Sequence, residues 1–222
     1  MFDGQRNSLL NSLDQAHEAY EAEAFSGPSV YFHLRSLDAA RARDFERFAE
    51  YVYAMLASWG MHRMGRGGSK MGEFNDFLSS LSAVWGEAML LQQRTRGSLL
   101  EPDWAMLRRV FDGIHCMRSG TTLVGNSKVM AHLLPNLVAP VDRAYTLTFL
   151  FKCSRIKNDK ELEWKTLRKI LDGFFYPVVR SPLFQEKALK WLAQSNRSNW
   201  DTSELKIVDN LLIGLVKLQQ RQ

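Results

Sequence analysis

The chain is short of the residues on which many redox, metal and secreted proteins depend. It has two cysteines, Cys116 and Cys153, in 222 residues. Two thiolates cannot supply a four-cysteine iron–sulfur cluster. Each lies in an apolar helical pattern, which predicts a reduced, buried thiol. The five histidines, at 17, 33, 62, 115 and 132, show neither HExxH nor paired His/Cys spacing, so no metal and no cofactor is expected. There is no Walker loop, dinucleotide fingerprint or Gly-x-Ser-x-Gly elbow, and the glycine-rich Gly65–Gly68 follows a helical pattern rather than a strand. No apolar run approaches the roughly twenty residues that span a membrane. The start is polar and acidic, unlike a secretory signal. These absences predict a cytoplasmic chain with no membrane partner, and no obligate protein partner is evident.

What is present is ordinary for a globular protein: 45% hydrophobic and 24% charged residues. The length predicts a single helical domain spanning 1–222, in one or two lobes. The net charge of +5 fits a polyanionic partner without requiring one. It is unevenly placed. Residues 143–222 hold 15 Lys+Arg against 8 Asp+Glu, and residues 1–142 hold 14 against 16, giving +7 and −2. The basic C-terminal part is the expected electrostatic footprint.

Apolar residues recur at helical spacing almost throughout, which predicts an all-α fold of eight to ten helices. The pattern over 5–24 predicts one amphipathic helix ended by Gly27-Pro28. Tyr31-Phe32-His33 reads as an extended entry to one or two helices over 34–59. Helices are predicted over 73–94 and from Pro102 to about Met117. Others run from Asp142 to about Ser154 and from Glu161 to about Phe175. Two more follow, over 183–194 and after Asp201, where Asp201 and Glu204 have capping-box spacing. Pro177 and Pro182 bracket a short link. Between Ser58 and Lys70 lie four glycines with Trp59, His62 and Arg63. That glycine density predicts positive φ or close backbone approach. It reads either as an interhelical loop or as a loop that lines a pocket.

The stretch from Leu123 to Thr148 organises the chain. Val124-Gly125-Asn126 reads as a tight turn opening a short helix that Pro135 stops. Pro140-Val141-Asp142 opens the next helix, with Asp142 at the N-cap. Amides at Gly125, Asn126 and Ser127 are then placed to hold a phosphate. Lys128 and Arg143 are further candidates for contact with a nucleic-acid backbone.

Val124-Gly125 and Pro140-Val141-Asp142 resemble the signature of the helix-hairpin-helix DNA glycosylases. That signature is a Gly-hydrophobic-Gly turn, a helix, and a Pro-Val-Asp carrying the catalytic aspartate. The likeness covers about twenty-five residues, within 118–150. Leu123 stands where the first turn glycine would be, and the link to the aspartate is a few residues shorter. The position of the lysine in lyase-competent members is Ser127 here, with Lys128 one residue later. The resemblance thus implies excision of a damaged or modified base, such as one in phage DNA, by hydrolysis without a lysine Schiff base. It implies Asp142 as catalytic carboxylate and duplex DNA with a flipped base as partner, in repair or antiviral defence. Val124, Gly125, Asn126, Ser127, Lys128 and Arg143 would bind DNA. An extruded base needs an aromatic pocket with polar readers, and Tyr31, His33, Trp59, His62 and Arg63 are candidates. Two other readings fit the same residues: a non-catalytic helix-hairpin-helix DNA-binding protein with Asp142 as a plain cap, and a helical protein-interaction module.

Overall fold

The structure, a computed structural model, describes residues 1–22, 24, 27–62, 64–65, 68–118, 121–194 and 200–220, with the backbone alone at 64–65 and 68–69. The chain is all-α. Among the described residues eleven helices form when unbroken helical runs are counted as one. They are α1 (Asp3–Leu10), α2 (Leu13–Glu21), α3 (Pro28–Ala42), α4 (Phe45–Ser58), α5 (Phe74–Leu91), α6 (Glu101–Gly113), α7 (Leu123–Leu133), α8 (143–151), α9 (160–180), α10 (Pro182–Gln194) and α11 (Glu204–Gln220). A two-residue antiparallel ribbon pairs Met64–Gly65 with Gly68–Ser69. No helix of the described residues is long and apolar enough to cross a membrane.

One hydrophobic cluster runs through the molecule from Phe2 to Val216. Three helix pairings dominate it: α2 with α11, α3 with α4, and α5 with α6. The α2–α11 crossing is close, because Gly214 lets the backbones meet. A Cβ there would lie 1.9 Å from the Ala16 carbonyl oxygen.

Several local expectations are corrected. The helix predicted over 5–24 is split at Asn11–Ser12 into α1 and α2. Tyr31-Phe32-His33 is not extended: Pro28 occupies the first turn of α3, where its fixed φ and missing N–H suit a helix start. Pro177 does not break its helix. A π-helical turn at Leu171–Phe175 precedes it, and the Gly173 carbonyl, four residues back, accepts instead from Arg6 Nη1 at 2.7 Å. Removing that carbonyl from the helical ladder accommodates the ring. Asp201 does not cap α11; Ser203 Oγ accepts from Lys206 N at 3.2 Å. Cys116 is buried as expected, but Cys153 is exposed, because α8 ends at Phe151 and leaves it in the following loop.

The central stretch is also rearranged. Val124-Gly125-Asn126 is no turn: α7 already begins at Leu123, and Asn126 N donates to Thr122 O at 2.8 Å. Gly125 does not have positive φ. It is glycine for space, since a Cβ would sit 2.7 Å from Cys116 Sγ and 2.8 Å from Met117 Cγ. The expected turn residues thus lie within α7, and the described residues do not show a central helix-hairpin-helix. The later half follows expectation. The helix stops before Pro135, and Asp142 caps α8.

Candidate functional site

The amides that begin α7 are not free for an anion. The buried Glu163 side chain of α9 takes them: its Oε2 accepts from Thr122 N at 2.6 Å, Leu123 N at 2.5 Å and Thr122 Oγ1 at 3.0 Å. This carboxylate is an internal counterpart to the helix dipole. Asn126 and Ser127 are fully buried in the body of the helix. Asn126 Nδ2 donates to the Phe111 and Ile114 carbonyls at 2.7 and 2.8 Å. Ser127 Oγ donates to Val124 O at 3.2 Å and accepts from Val141 N at 3.1 Å. The phosphate cradle expected at Gly125–Ser127 has no geometry to support it. Asn126 instead ties α7 to the end of α6, and Ser127 ties it to the segment that leads to Asp142.

One turn on, α7 presents Lys128 to a cavity of about 290 Å³. The cavity is lined by four aromatic rings, Tyr20, Trp59, Tyr145 and Trp200, with Pro140 and Ile213. Two ammonium–carboxylate pairs complete it: Lys128 with Asp142, and Lys206 with Asp209. Five parts of the fold converge to build it: α2, the end of α4, the α7–α8 unit, the loop at Trp200 and α11.

Each wall has a local cause. Trp59 is placed by the end of α4. Gly60, at φ 76°, reverses the chain while Met61 N reaches back to Leu56 O at 3.2 Å. This is the glycine-terminated helix end in which orphan carbonyls are satisfied. Trp59 and Trp200 touch, with centroids 5.9 Å apart and planes at 41°. The Lys128 ammonium lies 4.9 Å from the Trp59 ring, within cation–π range.

Asp142 is fixed by its cap. Its Oδ1 accepts from Ala144 N at 2.7 Å and Tyr145 N at 3.4 Å, and its Oδ2 faces Lys128 Nζ at 3.5 Å. The α8 N-terminus thus fixes the carboxylate through two backbone amides.

The opposite wall belongs to α11. Lys206 Nζ donates to Asp209 Oδ2 at 2.7 Å and to Asn210 Oδ1, and lies over the Tyr20 and Trp200 rings. Burial pushes the Asp209 carboxyl above its ordinary range, against the attraction of Lys206, and the charge of Asp142 adds to the push. Asn210 Nδ2 donates to Asp201 Oδ1 at 2.7 Å, and Asp201 Oδ2 pairs with His17 Nε2 at 2.8 Å. This network, unlike a half-satisfied one, can hold Lys206 in one orientation.

Behind the pocket two histidines form a directed chain. His132 Nδ1 lies 2.7 Å from Lys128 O, and a carbonyl only accepts, so Nδ1 carries the proton. Burial lowers the His132 pKa to about 4 and holds His33 well below its ordinary value. Neutral His132 therefore accepts at Nε2 from His33 Nδ1, 2.7 Å away. His33 Nε2 in turn accepts from Thr202 Oγ1 at 2.9 Å. The pair braces the helical turn that carries Lys128, and His33 packs on Trp200 at 4.9 Å.

Of the expected pocket residues, Trp59 lines the cavity and His33 stands one layer behind it. Tyr31 is 53% exposed beside Arg35, and His62 is exposed, its Nδ1 donating to Ala57 O at 2.6 Å. Neither reaches the cavity. Arg63 lies outside the described residues. Among the expected DNA contacts, Lys128 is at the cavity and Arg143 is exposed beside it, donating to Thr121 Oγ1 at 3.2 Å. Val124 is half-buried on α7. Tyr20, Tyr145, Trp200, Lys206 and Asp209 were not foreseen. A signal existed on α11, where Lys206, Asp209, Asn210 and Ile213 recur at i, i+3, i+4 and i+7. That is a second helical face, polar enough to be buried only with partners. No family model, no curated protein and no solved structure matches the chain.

Proposed function

We propose that the chain is a DNA glycosylase that releases a damaged or modified base, with Asp142 as its essential carboxylate. The observation that carries the reading is the aromatic cavity abutting the Lys128–Asp142 pair. At about 290 Å³ it lies near the lower end of the roughly 300–1,000 Å³ typical of small-molecule sites. That size suits one flat heterocycle better than a whole cofactor. Four aromatic rings supply stacking surface, and Lys206 with Asp209 offers a donor beside an acceptor for the polar edge of a base.

The chemistry follows from the cap geometry. Cleavage of an N-glycosidic bond develops positive charge on the sugar. A carboxylate already fixed beside it stabilises that charge without reorganising. Asp142 is held by two backbone amides through Oδ1, which leaves Oδ2 for the sugar or for an attacking water. Lys128 Nζ lies 3.5 Å from that oxygen. This adds a second route: Nζ passes a proton to Asp142 and attacks C1′ as the base leaves with that proton, and β-elimination from the resulting imine expels the 3′ phosphate and opens the strand.

The test is abasic-site formation. The protein and its Asp142→Asn variant are incubated with duplexes containing uracil, oxidised, alkylated or mismatched bases, and with phage DNA rich in modified cytosine. Alkali then cuts abasic sites. Cutting by the wild type that disappears in the variant supports the reading, and cutting without alkali assigns Lys128 the strand-opening role. No cutting of any substrate contradicts base excision.

A further inference from the structure

Helix α8 borders two cavities. Asp142 and Tyr145 line the aromatic pocket, while Leu147 lines a second cavity of about 300 Å³ whose rim includes Arg155 and Lys157. The second cavity is largely apolar, with Phe151, Ile156 and Leu162 in its lining. Arg143 follows Asp142 directly and donates to Thr121 Oγ1, and the adjacent Thr122 donates to Glu163, which lines the second cavity.

The segment 143–160 carries Arg143, Lys152, Arg155, Lys157 and Lys160 against a single acid, Asp159. That acid is engaged in capping α9, where it accepts from Leu162 N at 3.0 Å. All five cations are exposed. None forms an ion pair among the described residues; the side-chain contacts are Arg143 with Thr121 and Lys152 with the Phe149 ring. Elsewhere in the C-terminal part Lys165 pairs with Glu161, Arg168 with Glu101, Lys187 with Asp14 and Lys190 with Glu186, while Lys169 contacts rings and Arg180 a carbonyl. Residues 143–160 thus carry +4 of the +7 of residues 143–222 in eighteen residues that border both cavities. Like charges left unpaired on one edge create a field that draws a polyanion. The amides opening α7 are occupied by Glu163, so anion contacts at this edge fall to side chains.

We propose that Arg143, Arg155 and Lys157 form a phosphate track that holds a DNA strand from the mouth of the aromatic pocket across the second cavity. The identity of the polyanion rests on the base-excision reading; the track itself rests on the unpaired cations and their placement. Phosphate contacts of this kind position the strand and carry no sequence information.

The test is the salt dependence of DNA binding, read by fluorescence anisotropy of a labelled duplex. The Asp142→Asn protein serves as background, so that no substrate is consumed. Three phosphate contacts contribute about 2.7 to the slope of log K against log salt, at about 0.9 each. Arg143→Gln/Arg155→Gln/Lys157→Gln should lower the slope by that amount. Lys187→Gln/Lys190→Gln, on α10, should leave it unchanged. A triple variant with the parent slope overturns the track, as does a control that lowers the slope equally. Absence of binding at low salt overturns the track and the base-excision reading together. A slope lost as expected in a protein that releases no base upholds the track and removes only the excision.

Discussion

The buried histidine pair makes stability depend on pH in a defined window. In the unfolded chain each imidazole titrates near 6.5, as model peptides do. In the folded protein burial keeps both neutral, with His132 lowered to about 4 and His33 also well below its ordinary value. The ammonium groups of Lys206 and Lys128 act in the same direction on His132, and His132, Lys206 and Arg41 do so on His33. As pH falls below 6.5 the unfolded chain binds protons that the folded chain refuses. Stability is therefore full above that value and is lost as pH falls toward 4. Between pH 7 and 5 the loss from His132 is about 2 kcal/mol, and His33 acts in the same direction. For a domain of this size the His132 part lowers Tm by about 4–8 °C. The raised Asp209 carboxyl works with the opposite sign, since its protonation relieves a buried charge, so absolute stability is the weaker readout. The sharper one is the slope of urea-unfolding free energy against pH, compared between wild type and His132→Gln. The glutamine can still accept from His33, and the variant should lose the His132 part of the slope, about 2 kcal/mol between pH 7 and 5. An identical slope in the two proteins would refute the buried neutral pair.

Two other perturbations probe the fold. Gly214→Ala should cost stability at or beyond the upper end of the roughly 1–3 kcal/mol usual for overpacking, because the new Cβ would meet the backbone of α2 and not a side chain that can turn away; urea midpoints measure it, and a neutral effect would contradict the close α2–α11 crossing. In native protein one thiol per chain should react rapidly with a disulfide reagent at neutral pH. That thiol is the exposed Cys153, while Cys116, buried and pushed up to about 12, should react only on unfolding. Two fast thiols, or modification lost in Cys116→Ala but kept in Cys153→Ala, would reverse the assignment.

Helix existence was legible because the apolar residues repeat at 3.6-residue spacing, and ends marked by proline or by the Asp142 cap were legible with it. Less legible were features decided by tertiary contact. Gly125 carries the local look of a turn, yet its requirement is room for Cys116 and Met117. Pro177 looks like a stop, yet Arg6, distant in sequence, takes over the carbonyl its ring displaces. Glu163 reads as one more charged residue on an amphipathic helix; that it covers the start of α7 is known only once the helices are packed. The site divides similarly. Asp142 and Lys128 lie in one motif-bearing stretch, and Trp59 stands out beside glycines. Tyr20 and Trp200 come from opposite ends of the chain, and no spacing rule joins them.

The most direct test of the central claim is release of an intact base. Wild type and Asp142→Asn are incubated with the substrate panel, small molecules are separated from DNA, and free bases are identified by mass spectrometry. The account predicts one class of free base from the wild type, with its release slowed at least about a hundredfold in a variant that still binds DNA. No free base from any DNA, or equal release by the two proteins, would contradict it.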